Sequence, residues 1–193
     1  MVDADALASV GTVPPARVAT EQVLQWLDEV MDPEVPVVSV VGLGIVREVV
    51  WQYGPDATPQ LQIVVTPTYS GCPATEVIAA AIRHKLASHG VAPVEVRTRL
   101  SPAWTTDWMS ADGRRKLLEY GIAPPGPRPS GGPVALELGY RPALAGTDGT
   151  PSPACPLCGS VATEELARFA STSCKSLWRC TDCREPFDHF KEF

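Results

Sequence analysis

Two Cys-x-x-Cys pairs, Cys155-Pro-Leu-Cys158 and Cys180-Thr-Asp-Cys183, lie 21 residues apart and limit what the end of this 193-residue chain can become. Two thiolates on one tight knuckle grip an ion from one side, and a second knuckle carried over by a hairpin completes tetrahedral S4 coordination. Between the pairs, Val161 to Ala170 and Leu177 to Arg179 read as the arms of that hairpin, and Glu185 to Phe190 as a third strand. Residues 154–193 are therefore expected to form a small zinc-ribbon-like β module. About forty residues bury too little apolar surface to fold alone, so the metal supplies much of the folding free energy. Zinc is the favoured ion, although four thiolates suit an iron-sulfur cluster as well and spacing does not separate the two. Cys174, outside both pairs, is expected as a hairpin-loop thiol near the metal, the alternative being a substitute ligand or redox handle. His189 follows the second pair too closely to replace a cysteine.

The rest of the chain has a different grammar. From Thr20 the apolar residues Val23, Leu24, Leu27, Val30 and Met31 recur at helical spacing until Asp32-Pro33 stops them. Val37 to Val46 is an apolar run interrupted by Gly42 and Gly44, which reads as a buried turn. Arg47 to Tyr53 and Leu61 to Thr66, rich in Val and Ile and separated by Gly54-Pro55-Asp56, predict two antiparallel strands. Val77, Ile78, Ala81, Ile82 and Leu86 share one face of a second helix that ends at Gly90, and Val94, Val96, Thr98 and Leu100 alternate as a third strand with one wet face. Ser110 can cap a last helix, Ala111 to Tyr120, closed by Gly121; Trp104 and Trp108 before it are expected to lid the core. His84 and His89 are at no metal-ligand spacing and are expected at the solvated edge. The fold class is α+β: a small three-stranded sheet packed with helices over 19–122, after a loose arm at 1–18.

The sharpest local feature of this domain is Thr66-Pro67-Thr68-Tyr69-Ser70-Gly71-Cys72-Pro73-Ala74-Thr75, where a strand gives way to a helix. Cys72 falls where an N-cap is expected, with Pro73 at the first helical position. Unpaired backbone donors and the positive end of the helix dipole would favour a thiolate there, the form that attacks disulfides or binds metal; an inert core thiol is the competing reading.

Between the two units, Ala123 to Pro153 holds eight prolines and six glycines in 31 residues and predicts a linker, with Val134 to Tyr140 as a short ordered patch. The formal charge is −6, and no run of five or six like charges offers a basic stripe, so neither nucleic acid nor an anionic membrane is an expected partner. The net charge of 151–193 is −1, five Lys/Arg against six Asp/Glu, which weighs against a nucleic-acid-binding ribbon. No export signal or membrane span is read, and the expected setting is cytoplasmic, with thiols reduced or on metal. No Ser-His-Asp set, phosphate loop, dinucleotide fingerprint or pair of Glu-x-x-His motifs is present, so the chain lacks the parts for oxygenation or reduction on its own.

Three stretches, Asp32-Pro33-Glu34-Val35-Pro36, Gly42-Leu43-Gly44-Ile45-Val46 and Thr66 to Pro73, together resemble the metal-sulfur cluster assembly domain of SufT-type proteins. Pro102 to Met109, Glu119-Tyr120-Gly121-Ile122 and Cys180 to Asp188 resemble the PaaD (PaaJ) family, accessory subunits of phenylacetyl-CoA 1,2-epoxidase. The resemblance implies a non-catalytic accessory protein of aerobic phenylacetate degradation that partners the oxygenase and reductase subunits of that ring monooxygenase. It implies assistance in assembling or maintaining a partner's iron-sulfur cluster, with Cys72 as the cluster-handling thiol and Cys155, Cys158, Cys180 and Cys183 on structural zinc. One cysteine cannot enclose a cluster, so a homodimer or a client must complete a transient site. The alternative is an iron-sulfur electron-transfer component whose cluster sits on the four cysteines. Relatives carry Asp where this chain has Gly42, which leaves that position's role in the turn or in cluster handling open.

Overall fold

The computed structural model describes residues 18–53, 58–126 and 152–192. The Gly54-Pro55-Asp56 turn, residues 1–17 of the arm, and most of the linker with its patch at 134–140 lie outside the described residues.

Helix α1 (Thr20–Leu27) is followed by β1 (Val46–Tyr53), β2 (Pro59–Val65), α2 (Thr75–Ser88) and β3 (Val94–Thr98). β1 and β2 pair antiparallel, and β3 runs parallel to β2 in the order β1-β2-β3. A parallel neighbour needs a crossover, which α2 provides. The register places Trp51, Leu61 and Val94 in one row, and Val49, Ile63 and Val96 in the next, on the face that joins the core with Val23, Leu27, Ile78, Ile82 and Leu86 from the helices. On the other face Glu95 Oε2 accepts from Gln52 and Gln62, each at 2.8 Å, and Arg99 meets Glu48 at 2.6 Å. α1 is shorter than its periodicity suggests: Met31 forms a bridge with Ser39 instead of a helical turn.

The apolar run after α1 is a buried loop, with Val35, Val38, Val40, Leu43 and Ile45 each 3% exposed or less. Gly44 must be glycine, since its φ is +71° and a Cβ would stand 2.3 Å from the Trp108 carbonyl oxygen. Gly42 N donates to Ser39 Oγ at 2.8 Å, and Ser39 Oγ in turn bonds Asp28, so a serine three residues back secures the turn at the position where relatives carry Asp. Trp104 is buried and donates from Nε1 to Leu43 O at 2.9 Å, while the Arg47 guanidinium stacks 3.6 Å from the centre of the Trp108 ring. After a 3-10 turn at Thr106–Trp108 comes α3 (Ala111–Glu119), whose N-cap Ser110 Oγ accepts from Gly113 N at 2.9 Å.

The chain then forms β4 (Ile122–Ala123), and the described C-terminal part forms β5 (Thr163–Ala167), β6 (Lys175–Cys180) and β7 (Pro186–Phe190). The sheet order is β4-β7-β6-β5, so the segment leaving α3 is a strand of the ribbon's own sheet, parallel to β7. Phe190, 1% exposed, leaves the ribbon for the core of the first domain, with its ring centroid 6.0 Å from that of Trp104. Ribbon and α+β domain therefore share a hydrophobic core.

Candidate thiol and metal sites

The loop between β2 and α2 carries Cys72. Its amide donates to Tyr69 O at 3.2 Å and its carbonyl accepts from Thr75 N and Thr75 Oγ1, a turn that ends before the helix starts. Helix α2 opens at Thr75 with Ala74 as N-cap, so Cys72 stands two residues ahead of the expected capping position and Pro73 is outside the helix. The electrostatic expectation changes with it. Burial raises the Cys72 pKa above the ordinary value; the Ala74 amide opposes this, and the carboxylates of Glu34 and Asp32 add to the rise. The resting state is a half-buried thiol, not a thiolate preformed by a helix dipole.

Cys72 lines a narrow apolar cavity of about 10 Å³ together with Asp32, Glu34, Thr68 and, from the ribbon, Cys174 and Phe190. Asp32 Oδ1 accepts from Glu34 N at 2.8 Å and Val35 N at 2.9 Å, which folds the Asp32-Pro33-Glu34 turn under the cavity. Burial raises the Asp32 pKa against those two amides and the charge of Lys175. Cys174 is 3% exposed, with Sγ 3.1 Å from Thr172 Oγ1 and 3.7 Å from Glu34 Oε2. Burial pushes its thiol up to about 11, with Thr172 opposing and Glu34 and Asp32 assisting.

Cys174 is therefore not a thiol beside the ribbon's metal. It precedes β6, whose far end is Cys180, roughly 20 Å away at about 3.3 Å of rise per residue. Asp32 and Glu34 were visible in the sequence only as part of a motif, because their convergence with two cysteines needs both units in place.

At the other end of the ribbon, Cys155, Cys158, Cys180 and Cys183 bring their four sulfurs within 4.8 Å of one another. Cys155 Sγ lies 3.8 Å from Cys183 Sγ, and Cys158 Sγ lies 3.6 Å from Cys180 Sγ. A tetrahedron with metal–sulfur bonds of about 2.3 Å has S···S edges of about 3.8 Å, so the thiols already stand at ligand separation, well beyond a disulfide bond. All four are free cysteines. The Cys183 and Asp182 amides stabilise a thiolate at Cys180, lowering it to about 7. At Cys183 the Glu185 amide favours ionisation, but burial and the neighbouring sulfurs win and push it up to about 12. One thiolate held by three thiols is the proton inventory of a metal-ligating set waiting for a cation.

His189 is not part of this set: its Nδ1 lies 3.4 Å from Ser176 Oγ and its ring packs edge-on against Trp178. His89 stacks on Trp26 at the exposed end of α2, with ring centroids 4.2 Å apart. Among the described residues, no helix is long and apolar enough to cross a membrane.

Comparison with known proteins places both units. A family model described as the PaaD zinc beta ribbon domain matches residues 141–191, and one described as iron-sulfur cluster assembly protein matches residues 20–96. Over 182 residues the chain is 43% identical to an Escherichia coli (strain K12) protein whose name assigns it as the D subunit of 1,2-phenylacetyl-CoA epoxidase, covering 94% of this chain and 97% of that one. A crystal structure of a domain of unknown function, DUF59, from Bacillus anthracis is 27% identical, with a TM-score of 0.44 over 50% of this chain and 89% of its own. A Mycobacterium tuberculosis protein associated with Fe-S complex assembly and repair is 31% identical, with a TM-score of 0.33 over 52% of this chain and 84% of its own.

Proposed function

Because the chain belongs to the PaaD family, that of the phenylacetyl-CoA epoxidase accessory component, we propose that it is a non-catalytic accessory protein of that ring monooxygenase, acting with its oxygenase and reductase subunits. Its task is to help assemble or maintain an iron-sulfur cluster in a partner, the reductase being the client proposed. Cys72 is the thiol that handles the cluster or its iron, and the cluster is cargo. The observation that carries this reading is the placement of Cys72: within the part that matches the iron-sulfur assembly model, at the mouth of a cavity walled by Asp32 and Glu34.

The buried thiol suits transient handling. Held protonated until a cation arrives, Cys72 neither oxidises readily nor retains a ligand once its proton returns. Cys155, Cys158, Cys180 and Cys183 hold structural zinc, which supplies folding free energy to a module with a small core of its own around Ala123 and Phe187. That assignment leaves the four thiols no role in electron transfer.

The test is Cys72→Ser. The variant is expected to fold and retain its zinc, while a reductase partner matured beside it is poor in cluster iron and acid-labile sulfide. A fully loaded partner would overturn the proposal. One zinc per chain, without visible absorption after anaerobic purification, is expected of the ribbon; stoichiometric iron and sulfide there would favour an electron-transfer component.

A further inference from the structure

The cavity beneath Cys72 is built from both units. The first domain supplies Cys72, Asp32 and Glu34; the ribbon supplies Cys174 and the Phe190 wall. Asp32 is 6% exposed, and its two described hydrogen bonds both go to Oδ1, leaving Oδ2 without a hydrogen-bond partner among the described residues. The cysteine thiols and the carboxyl groups thus gather in an otherwise apolar cavity. The nearest buried cation, Lys175, is committed to Asp188 at 2.8 Å.

From this geometry we infer that Cys72 and Cys174, one thiol from each unit, are ligands of a second metal site completed by the Glu34 carboxylate, which binds a single divalent transition-metal ion. The inference deepens the proposed function and rests on it: ferrous iron is the ion such a site would take up as cargo. Two thiolates and a carboxylate suit iron or zinc over magnesium or calcium. The cavity, at about 10 Å³, has room for about one water-sized sphere, so it takes an ion and not a cluster of irons bridged by sulfides. Binding replaces the protons of the two thiols, which burial keeps on the sulfurs while no cation is present. There is also a way in: Glu34 lines both this cavity and an open cleft of about 370 Å³ between Tyr69, Gly71 and Pro73 on one side and Phe169 and Ser173 on the other. The site answers what completes coordination at Cys72 without a second copy of the chain.

The test uses the full chain with its ribbon loaded with zinc, titrated without air with Co(II) as the spectroscopic probe and then with Fe(II). One further ion per chain is expected beyond zinc, with sulfur-to-cobalt charge-transfer absorption in the near ultraviolet. Cys72→Ala and Cys174→Ala should each lower affinity by roughly a hundredfold or more, past the ~10–100-fold typical of a lost outer-shell partner. Glu34→Gln should weaken binding without removing the sulfur band. The wild type offers a check that needs no variant: Co(II) should protect both Cys72 and Cys174 from alkylation, read by mass spectrometry. A wild type that takes no second ion, or in which neither thiol is protected, overturns the inference. So does binding that is lost in Cys72→Ala but unchanged in Cys174→Ala, an outcome that leaves Cys72 as the cargo thiol. The proposed function fails separately, if the partner's cluster does not depend on Cys72.

Discussion

Phe190 is the residue on which the union of the two units turns, and Phe190→Ala tests it. The side chain is 1% exposed and sits in the core of the first domain although it belongs to a ribbon strand. An aromatic ring of this kind buries at least about 150 Å², which at ~25 cal/mol per Å² is about 4 kcal/mol. That falls within the ~3–5 kcal/mol typical of Phe→Ala in a core, where the residual cavity adds to the lost transfer energy. Urea unfolding of the zinc-loaded protein, followed by tryptophan fluorescence, reads it: Trp104, 6.0 Å from Phe190, reports the shared core. With an m-value of about 2 kcal/mol/M, the midpoint should fall by roughly 1.5–2 M. Val161→Ala, at a position 74% exposed on the ribbon, is the control and should stay within ~0.5 kcal/mol of wild type. A loss below ~1 kcal/mol for Phe190→Ala, with an unchanged Trp104 signal, would mean that the ribbon does not contribute to the first domain's core, and the two-unit cavity would lose its basis.

Two further perturbations probe the scaffold. Gly44→Ala combines a left-handed backbone with a Cβ at 2.3 Å from Trp108 O, and should destabilise by roughly 2 kcal/mol or more in the same assay; a neutral result would show that the loop carrying Trp108 yields freely. His189 is buried, and burial holds its pKa below the ordinary 6.5, with Glu192 only partly opposing. A base depressed in the folded state contributes stability that is present above about 6.5 and lost as pH falls toward and through the folded value. Wild type should therefore lose more stability between pH 7.5 and 5.5 than His189→Gln; parallel pH profiles would refute the assignment.

Much of the architecture was legible in order of elements. The β1–β2 pair, the amphipathic face of α2, the Ser110 cap of α3 and the three ribbon strands all follow from local period, turn chemistry and capping, which depend on neighbours in sequence. The four-thiol set was legible for the same reason, since each Cys-x-x-Cys pair is a local device. Cys72 was located but its electrostatics were not: one turn of displacement from the helix start put burial and two carboxylates ahead of the dipole. The expectation for Cys174 erred because proximity along the chain to the metal ligands says little when an intervening strand carries the residue to the opposite end of the sheet.

By itself, then, the sequence determined the secondary elements, the α+β class and the tetrahedral thiol set, because each is encoded within a few residues of chain. Tertiary structure decided that the strand leaving α3 joins the ribbon sheet, that Phe190 enters the first domain's core, and that Cys174 meets Glu34 in the cavity lined by Cys72. Those contacts join residues up to 140 positions apart, and burial of apolar surface, which has no period in sequence, selects them.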